Sequence, residues 1–148
     1  MKISISLLRP QNQQRTLNRR FNPMSQDKLD HLFELRKHFM EHLESQKPGS
    51  YPSWPLDISK KQSQQLIRDL ALKGVEEMFE ALGHLKNWKP HRDTENPEFD
   101  RDEFVEEVVD AFNYFLSMLV LVGVTSDELY ESYCSKDRKI HQRLNSGY

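Results

Sequence analysis

Residues 76–80 read Glu-Glu-Met-Phe-Glu, and residues 106–110 read Glu-Glu-Val-Val-Asp. Each acidic motif lies in a stretch whose apolar residues recur at the spacing of an α-helix. A polar, proline-bearing segment, residues 87–97, separates the two stretches and has the composition of a loop. The motifs therefore predict two helices joined by a loop, with acidic side chains at the edge of the helical core.

Each motif presents a pair of carboxylates. Side chains three positions apart lie on one face of a helix, so Glu77 pairs with Glu80 and Glu107 pairs with Asp110. If the two helices pack antiparallel, the four carboxylates converge. Such a cluster repels itself and loses hydration unless a divalent cation neutralises it, and carboxylate oxygens suit Mg2+ or Mn2+. The pattern predicts a metal site or, in the simpler interpretation, two solvated acidic faces.

Length and composition limit the class of protein. A chain of 148 residues fits one domain. Its apolar fraction of 36% is low and its charged fraction of 30% is high, so a monomer would bury a thin core, and dimerisation would complete it. The lone Cys134 excludes an internal disulfide framework and fits a reducing compartment. With no run of 18 apolar residues and no signal-peptide core, we expect a soluble, cytoplasmic protein that does not engage a membrane.

The N-terminal segment differs in charge from the remainder of the chain. Residues 1–26 hold five basic residues and no acid, whereas residues 76–110 hold 12 of the 23 acids. We interpret residues 1–24 as a basic arm, flexible or bound to a partner, and residues 25–148 as the single domain. A basic arm is compatible with nucleic-acid binding, but it lacks the interleaved aromatic residues that would strengthen that interpretation.

Apolar periodicity and capping residues predict four helices. The first runs from a Ser25 cap to about Ser45, and the second from a cap at 57–59 to about Lys86. The third starts at the capping-box-like Asp100 and stops at Gly123, and a fourth follows the Thr125 capping box. The first helix is amphipathic, and the residues that follow its 3.6-residue period are Leu29, Leu32, Phe33, Arg36, Phe39, Met40 and Leu43.

Three features of these helices carry further predictions. Gly74 lies in mid-helix at a cost of about 1 kcal/mol relative to alanine, which indicates close helix approach or a bend. His38 and His42 stand one turn apart, which permits a transition-metal site but is more typical of a solvated face. The third helix is apolar almost all round, so we expect it to face another subunit. Four residues carry this last prediction: Phe112, Phe115, Leu119 and Val122.

The acidic motifs carry a family resemblance. Glu76-Glu77-x-x-Glu80, followed after 26 residues by Glu107-x-x-Asp110, resembles the paired metal motifs of the all-α NTP pyrophosphatases, which include the MazG proteins and the dimeric dUTPases. The resemblance covers about residues 59–148 and is closest to the bacteriophage dCTP/dUTP pyrophosphatases.

Two further elements support the resemblance. A Trp-Lys pair follows the first motif in that group, as Trp88-Lys89 does here, and the group's C-terminal pattern of Tyr, Lys, Arg and Gly-Tyr resembles residues 133–148. The chain departs from the pattern where Asn113 replaces a histidine. It departs again in the C-terminal element, where Asp137 and Ile140 replace asparagines and Leu144 replaces a glutamine.

The resemblance implies a four-to-five-helix bundle that oligomerises through its central helices as a homodimer or homotetramer. It implies hydrolysis of a nucleoside or deoxynucleoside triphosphate, of the dUTP or dCTP kind, to the monophosphate and pyrophosphate. Mg2+, for which Mn2+ can substitute, would be held by Glu77, Glu80, Glu107 and Asp110. Glu76 would orient the attacking water as a general base. If the protein is phage-encoded, it would act in the host cytoplasm.

The resemblance also assigns binding residues. Lys89, Lys136 and Arg143 would neutralise the phosphates, although cations near helix ends are common without such a role. Trp88 would stack on the base or pack against the protein, and Asn113 would contact the base. Two other functions stay open: a non-catalytic helical dimer that binds nucleic acid or a partner protein, and a MazG-like pyrophosphatase for purine or modified deoxynucleotides.

Overall fold

The computed structural model describes residues 27–93 and 98–147. Within these ranges the chain is all-α and has no strand, as predicted. The four helices are α1 (Lys28–Gln46), α2 (Lys61–Gly83), α3 (Arg101–Val122) and α4 (Ser126–Ser146). The basic arm and the Ser25 cap lie outside the described residues; in the structure Asp27 caps α1.

The boundaries of α3 and α4 follow the predicted caps. The Asp100 carboxylate accepts hydrogen bonds from two backbone N–H groups in the first turn of α3, each at 3.1 Å. Thr125 caps α4 by accepting from the Glu128 N–H at 3.1 Å. Between the two helices Gly123 adopts φ +87°, a left-handed conformation that terminates α3. The axes of α3 and α4 are bent by 108° at this break.

The start of α2 differs from the prediction. Helix α2 begins after Lys60, whose side chain makes no capping hydrogen bond. The Asp57 carboxylate instead accepts from the backbone N–H and the hydroxyl of Ser59, at 3.1 and 2.6 Å. This local turn occupies the carboxylate, so the helix starts later than the predicted cap at 57–59. The helix also ends at Gly83 rather than near Lys86.

The core lies between α1, α2 and α3 and is sealed by the loop after α1. Its buried apolar residues are Phe33, Met40, Tyr51, Leu70, Leu116, Val120 and Leu121. The loop is tied to α3 by a hydrogen bond from the Leu56 N–H to the Leu121 carbonyl, at 2.8 Å. Glu44 fixes the loop's other end by accepting from the N–H groups of Gly49 and Tyr51, each at 2.8 Å. These hydrogen bonds, chiefly that from Gly49, lower the pKa of Glu44.

The most extensive helix–helix interface is that between α2 and α3, and the two helices approach each other closely at Gly74. A Cβ atom at Gly74 would stand 3.0 Å from the Phe115 ring and 3.2 Å from the Ala111 carbonyl oxygen. The close approach predicted from the mid-helix glycine is therefore confirmed. Ala111 and Ala81 are also fully buried, and their small side chains keep the two backbones close along this seam.

Helix α4 stands apart from this pair. Its backbone comes close to that of α1 and to neither α2 nor α3. The Ser126 hydroxyl hydrogen-bonds to the Asp30 carboxylate of α1 and ties the two helices together. None of its residues is fully buried. Among the described helices, none alone has both the length and the apolar composition of a membrane span; the bent pair α3 and α4 meets that test only when taken together.

Candidate metal centre

The tight α2–α3 seam places three carboxylates together. Glu77 lies one turn after Gly74 on α2. On α3, Glu107 lies one turn before Ala111, and Asp110 immediately precedes Ala111. One carboxylate oxygen from each of the three acids lies within 4.8 Å of the other two. Glu77 and Glu107 are half-buried, and Asp110 is exposed. Three of the four predicted metal ligands therefore share one site.

Charge accumulates at this site. Partial burial raises the pKa of Glu77, and the charges of Glu80, Asp110 and Glu107 raise it further. Within the described residues, none of the three clustered carboxylates forms an ion pair with a lysine, arginine or histidine. Glu80 contributes to this field but does not belong to the three-carboxylate cluster. Among residues 27–93 and 98–147, no cationic side chain compensates the negative charge of the site, and a divalent cation would neutralise it.

The chemistry of these donors fits a hard divalent cation. The cluster offers oxygen donors only, which suit Mg2+ and Mn2+ and do not favour softer metals. Mg2+ is commonly held by one or two carboxylates with its remaining positions filled by water and substrate phosphate. Partial exposure leaves room for those additional ligands. Glu77, Glu107 and Asp110 are the residues that would hold the ion.

A cleft of about 970 Å3 opens beside the carboxylates. Glu77 and Asp110 belong to its wall. Such dimensions suit a small organic ligand, and the wall combines apolar surface with a few polar groups, as ligand sites usually do. The apolar and aromatic part of the wall comes from Leu32, Leu35, Phe39, Leu43, Tyr51, Leu66, Leu70, Val109, Phe112, Tyr114 and Leu116. The carboxylate cluster thus stands at the edge of this cleft, with Glu77 and Asp110 in its wall.

Arg36, on α1, is a cation that lines this cleft. Its Nε donates to the Ser117 hydroxyl at 2.5 Å, and its Nη2 donates to the Tyr51 hydroxyl at 3.2 Å. The guanidinium carbon lies 4.5 Å from the centre of the Phe39 ring. Ser117 is fully buried and donates in turn to the Asn113 carbonyl at 2.9 Å. These contacts hold the guanidinium in one orientation.

The sequence periodicity includes Arg36 in the apolar stripe of α1 but indicates no role for it. Lys73, one turn before Glu77, also lines the cleft and was missed. The sequence did contain a signal for Arg36. It is a cation at a core-facing helix position, and an arginine there needs polar partners. Asn113, predicted to contact a base, does line the same cleft.

The other predicted site residues lie elsewhere. Trp88 is 68% exposed and lines a separate groove with Phe99. Lys89 places its Nζ 5.2 Å from the centre of the Trp88 ring. Lys136 and Arg143 are exposed on α4, whose backbone does not approach α2 or α3. Within one chain, these groups do not join the carboxylates.

Glu76 is exposed on α2, and of the neighbouring acids it raises the pKa of Glu77 least. Its role as a general base stays a prediction. The histidines His38 and His42 are both exposed, and among the described residues the three-carboxylate cluster is the one group of potential metal ligands that converges.

Comparisons with known protein families, with curated proteins and with solved structures find no match to this chain. Fold and site define it as an all-α protein with a three-carboxylate cluster at the mouth of a cleft.

Proposed function

We propose that this protein is a Mg2+-dependent pyrophosphohydrolase that converts a nucleoside or deoxynucleoside triphosphate into the monophosphate and pyrophosphate. The observation that carries the proposal is the convergence of Glu77, Glu107 and Asp110 beside a cleft of nucleotide size. The triphosphate and the carboxylate cluster are both anionic. The two therefore need a shared cation in order to bind each other. The sequence resemblance to the all-α NTP pyrophosphatases supports the same reaction.

The protein's own residues would divide the work along the cleft. Glu77, Glu107 and Asp110 would fix the ion, which supplies charge neutralisation and acidifies bound water. Glu80, close enough to raise the Glu77 pKa, would complete the acidic field. Glu76, exposed beside the cluster, would accept a proton from the attacking water. Lys73 would offset the negative charge that develops on the phosphates.

Lys89, Lys136 and Arg143 do not line the cleft of their own chain. The cations on α4 lie apart from the cleft of their own chain, so a second copy would have to present them. We therefore propose a homodimer or homotetramer in which α4 of one protomer reaches the cleft of its partner. Exposed apolar side chains on α1, α2 and α3 support assembly: Leu35, Phe39, Leu72, Val75, Phe79, Leu82, Val105, Val109 and Phe112.

The base would enter the apolar part of the cleft, where Asn113 offers both a donor and an acceptor. Trp88 belongs to a different groove, so a stacking role for Trp88 would also depend on a second protomer. We propose a pyrimidine deoxynucleotide of the dUTP or dCTP kind as substrate, with a broader base preference than a strict dUTPase. The departures in the C-terminal element point to an alternative substrate preference, which is the MazG-like preference for purine or modified deoxynucleotides.

Product analysis tests the proposal. The purified protein is incubated with Mg2+ and each nucleotide in turn, and the products are separated by ion-exchange chromatography. We expect monophosphate and pyrophosphate in equal amounts, with turnover lost in Asp110→Asn and retained in Asp127→Asn, an exposed aspartate on α4. Diphosphate with inorganic phosphate would contradict the proposed reaction. No turnover of any nucleotide would favour the non-catalytic helical dimer that binds nucleic acid or a protein.

A further inference from the structure

Arg36 combines three properties that the proposed chemistry at the carboxylates leaves unexplained. It is half-buried, it is held by Ser117, Tyr51 and the Phe39 ring, and it forms no ion pair within residues 27–93 and 98–147. Burying an arginine without an anionic partner is costly, and fixing it in one orientation costs side-chain entropy as well. A group held in this way is prepared to bind something in the cleft that it lines.

The guanidinium has hydrogen bonds left to give. An arginine carries five N–H donors and no acceptor. One N–H of Arg36 goes to Ser117 and one to Tyr51, and Nη1 makes no hydrogen bond with any described residue. The free donors can therefore bind only an acceptor atom, such as a carbonyl or phosphate oxygen.

Position distinguishes these two acceptors. Ser117, which fixes Arg36, lies seven residues after Asp110 on α3, or about 10 Å along the helix axis. Lys73 stands one turn before Glu77 on α2, whereas Arg36 is held by Ser117, which lies beyond Asp110 along α3. An extended nucleotide separates its metal-bound phosphates from the far edge of its base by a distance of this order. When the phosphates lie at the carboxylates, the part of the nucleotide beside Arg36 is therefore the base and not a phosphate.

We infer that Arg36 selects the base by donating to the carbonyl oxygen farthest from the sugar, at position 4 of a pyrimidine or position 6 of a purine. This inference rests on the proposed function, since it takes the phosphates to lie at the carboxylates. The sugar end of the base points toward the phosphates, so the opposite edge points toward Arg36. Uracil, thymine, guanine and hypoxanthine carry oxygen there, whereas cytosine and adenine carry an amino group that cannot accept.

The test uses two pairs of nucleotides that differ at this atom, dUTP against dCTP and dITP against dATP. For each pair, the ratio of kcat/KM is measured with Mg2+ for the wild type, Arg36→Lys and Arg36→Gln. Arg68→Gln, an exposed arginine of α2 outside the cleft, is the matched control. A ratio taken within one variant cancels a general loss of folded protein, and thermal unfolding followed by circular dichroism reports that loss separately.

We expect the wild type and Arg68→Gln to favour the carbonyl-bearing member of each pair that is turned over. Arg36→Gln should lower that ratio at least tenfold, because an amide carries an acceptor as well as donors and can pair with an amino group. Arg36→Lys, which keeps the charge without the planar fork, should fall between the two. A ratio that is the same in the wild type and Arg36→Gln would overturn the inference. So would an equal loss for all four nucleotides, which would indicate a phosphate contact.

Failure of the proposed function gives a different result. If no nucleotide is hydrolysed, binding of dUMP and dCMP to the protein in the presence of Mg2+ is measured by titration calorimetry. An Arg36-dependent preference for dUMP would sustain base selection without the reaction. Equal binding of dUMP and dCMP, or no binding of either, would overturn the inference as well.

Discussion

Glu77→Gln should make the metal-free protein more stable while removing its response to Mg2+. A carboxylate oxygen of Glu77 lies within 4.8 Å of one from Glu107 and one from Asp110, and partial burial together with the surrounding charges raises the pKa of Glu77. An acid whose pKa is raised on folding destabilises the folded state when it is ionised, and this cost disappears as the pH falls and the group takes up a proton. Glutamine keeps the shape of the side chain without the charge.

The size of the gain follows from the geometry. Two unit charges at 4.8 Å repel by about 0.9 kcal/mol in water. At physiological ionic strength the Debye length of about 8 Å reduces this to about half. Because Glu77 faces two such charges, neutralising it relieves about 1 kcal/mol at neutral pH. For a chain of this length, that corresponds to an increase of about 3 °C in Tm.

Thermal unfolding in EDTA measures this gain, with Glu131→Gln on the exposed face of α4 as the control. Glu77→Gln should unfold above the wild type at pH 7, and the gap should close as the pH falls through the Glu77 pKa. Adding Mg2+ should raise the Tm of the wild type and of Glu131→Gln but not that of Glu77→Gln. Repulsion at a metal-binding cluster is ruled out if Glu77→Gln is less stable than the wild type in EDTA at pH 7. It is also ruled out if Mg2+ stabilises Glu77→Gln and the wild type equally.

Three further predictions concern packing, assembly and pH. Gly74→Val should destabilise the protein by about 1–3 kcal/mol in urea unfolding, since the added atoms meet the Phe115 ring and the α3 backbone, whereas Gly83→Ala, which meets nothing, should not. Light scattering at micromolar concentration should give at least twice the 17.6 kDa of one chain, and a monomer would contradict the proposed assembly. Glu44 has a lowered pKa, so its contribution to stability is present at neutral pH and is lost on acidification. Glu44→Gln should therefore be less stable than the wild type at pH 7, and the difference should vanish as the pH falls through the lowered pKa of Glu44; a constant difference would count against this.

The sequence predicted much of the local structure because local signals determine it. Asp100 and Thr125 begin helices and Gly123 ends one, through hydrogen bonds and a backbone conformation confined to a few neighbouring residues. The start of α2 was misplaced since both candidate caps bond to each other. Asp57 and Ser59 form a turn of their own, and only the structure distinguishes that turn from a capped helix.

The site was only partly predictable for a different reason. Spacing placed Glu77 with Glu80 on one face, but which of them meets α3 depends on how α2 is rotated about the Gly74 seam. Tertiary packing sets that rotation. The spacing therefore predicted both Glu77 and Glu80 as ligands, whereas the structure brings only Glu77 into the three-carboxylate cluster. Arg36 was missed because its partners, Tyr51 and Ser117, are 15 and 81 residues away in sequence.

Binding of Mn2+, followed by electron paramagnetic resonance, tests most directly whether Glu77, Glu107 and Asp110 hold a divalent cation. Free Mn2+ gives a strong signal that weakens when the ion is bound, so titration yields an affinity without any nucleotide. Competition with Mg2+ shows whether both ions use the same site. We predict that the wild type binds Mn2+, that Mg2+ displaces it, and that Asp110→Asn weakens binding at least tenfold while Asp127→Asn does not. Equal affinity in the wild type and Asp110→Asn would contradict the metal centre and the function built on it.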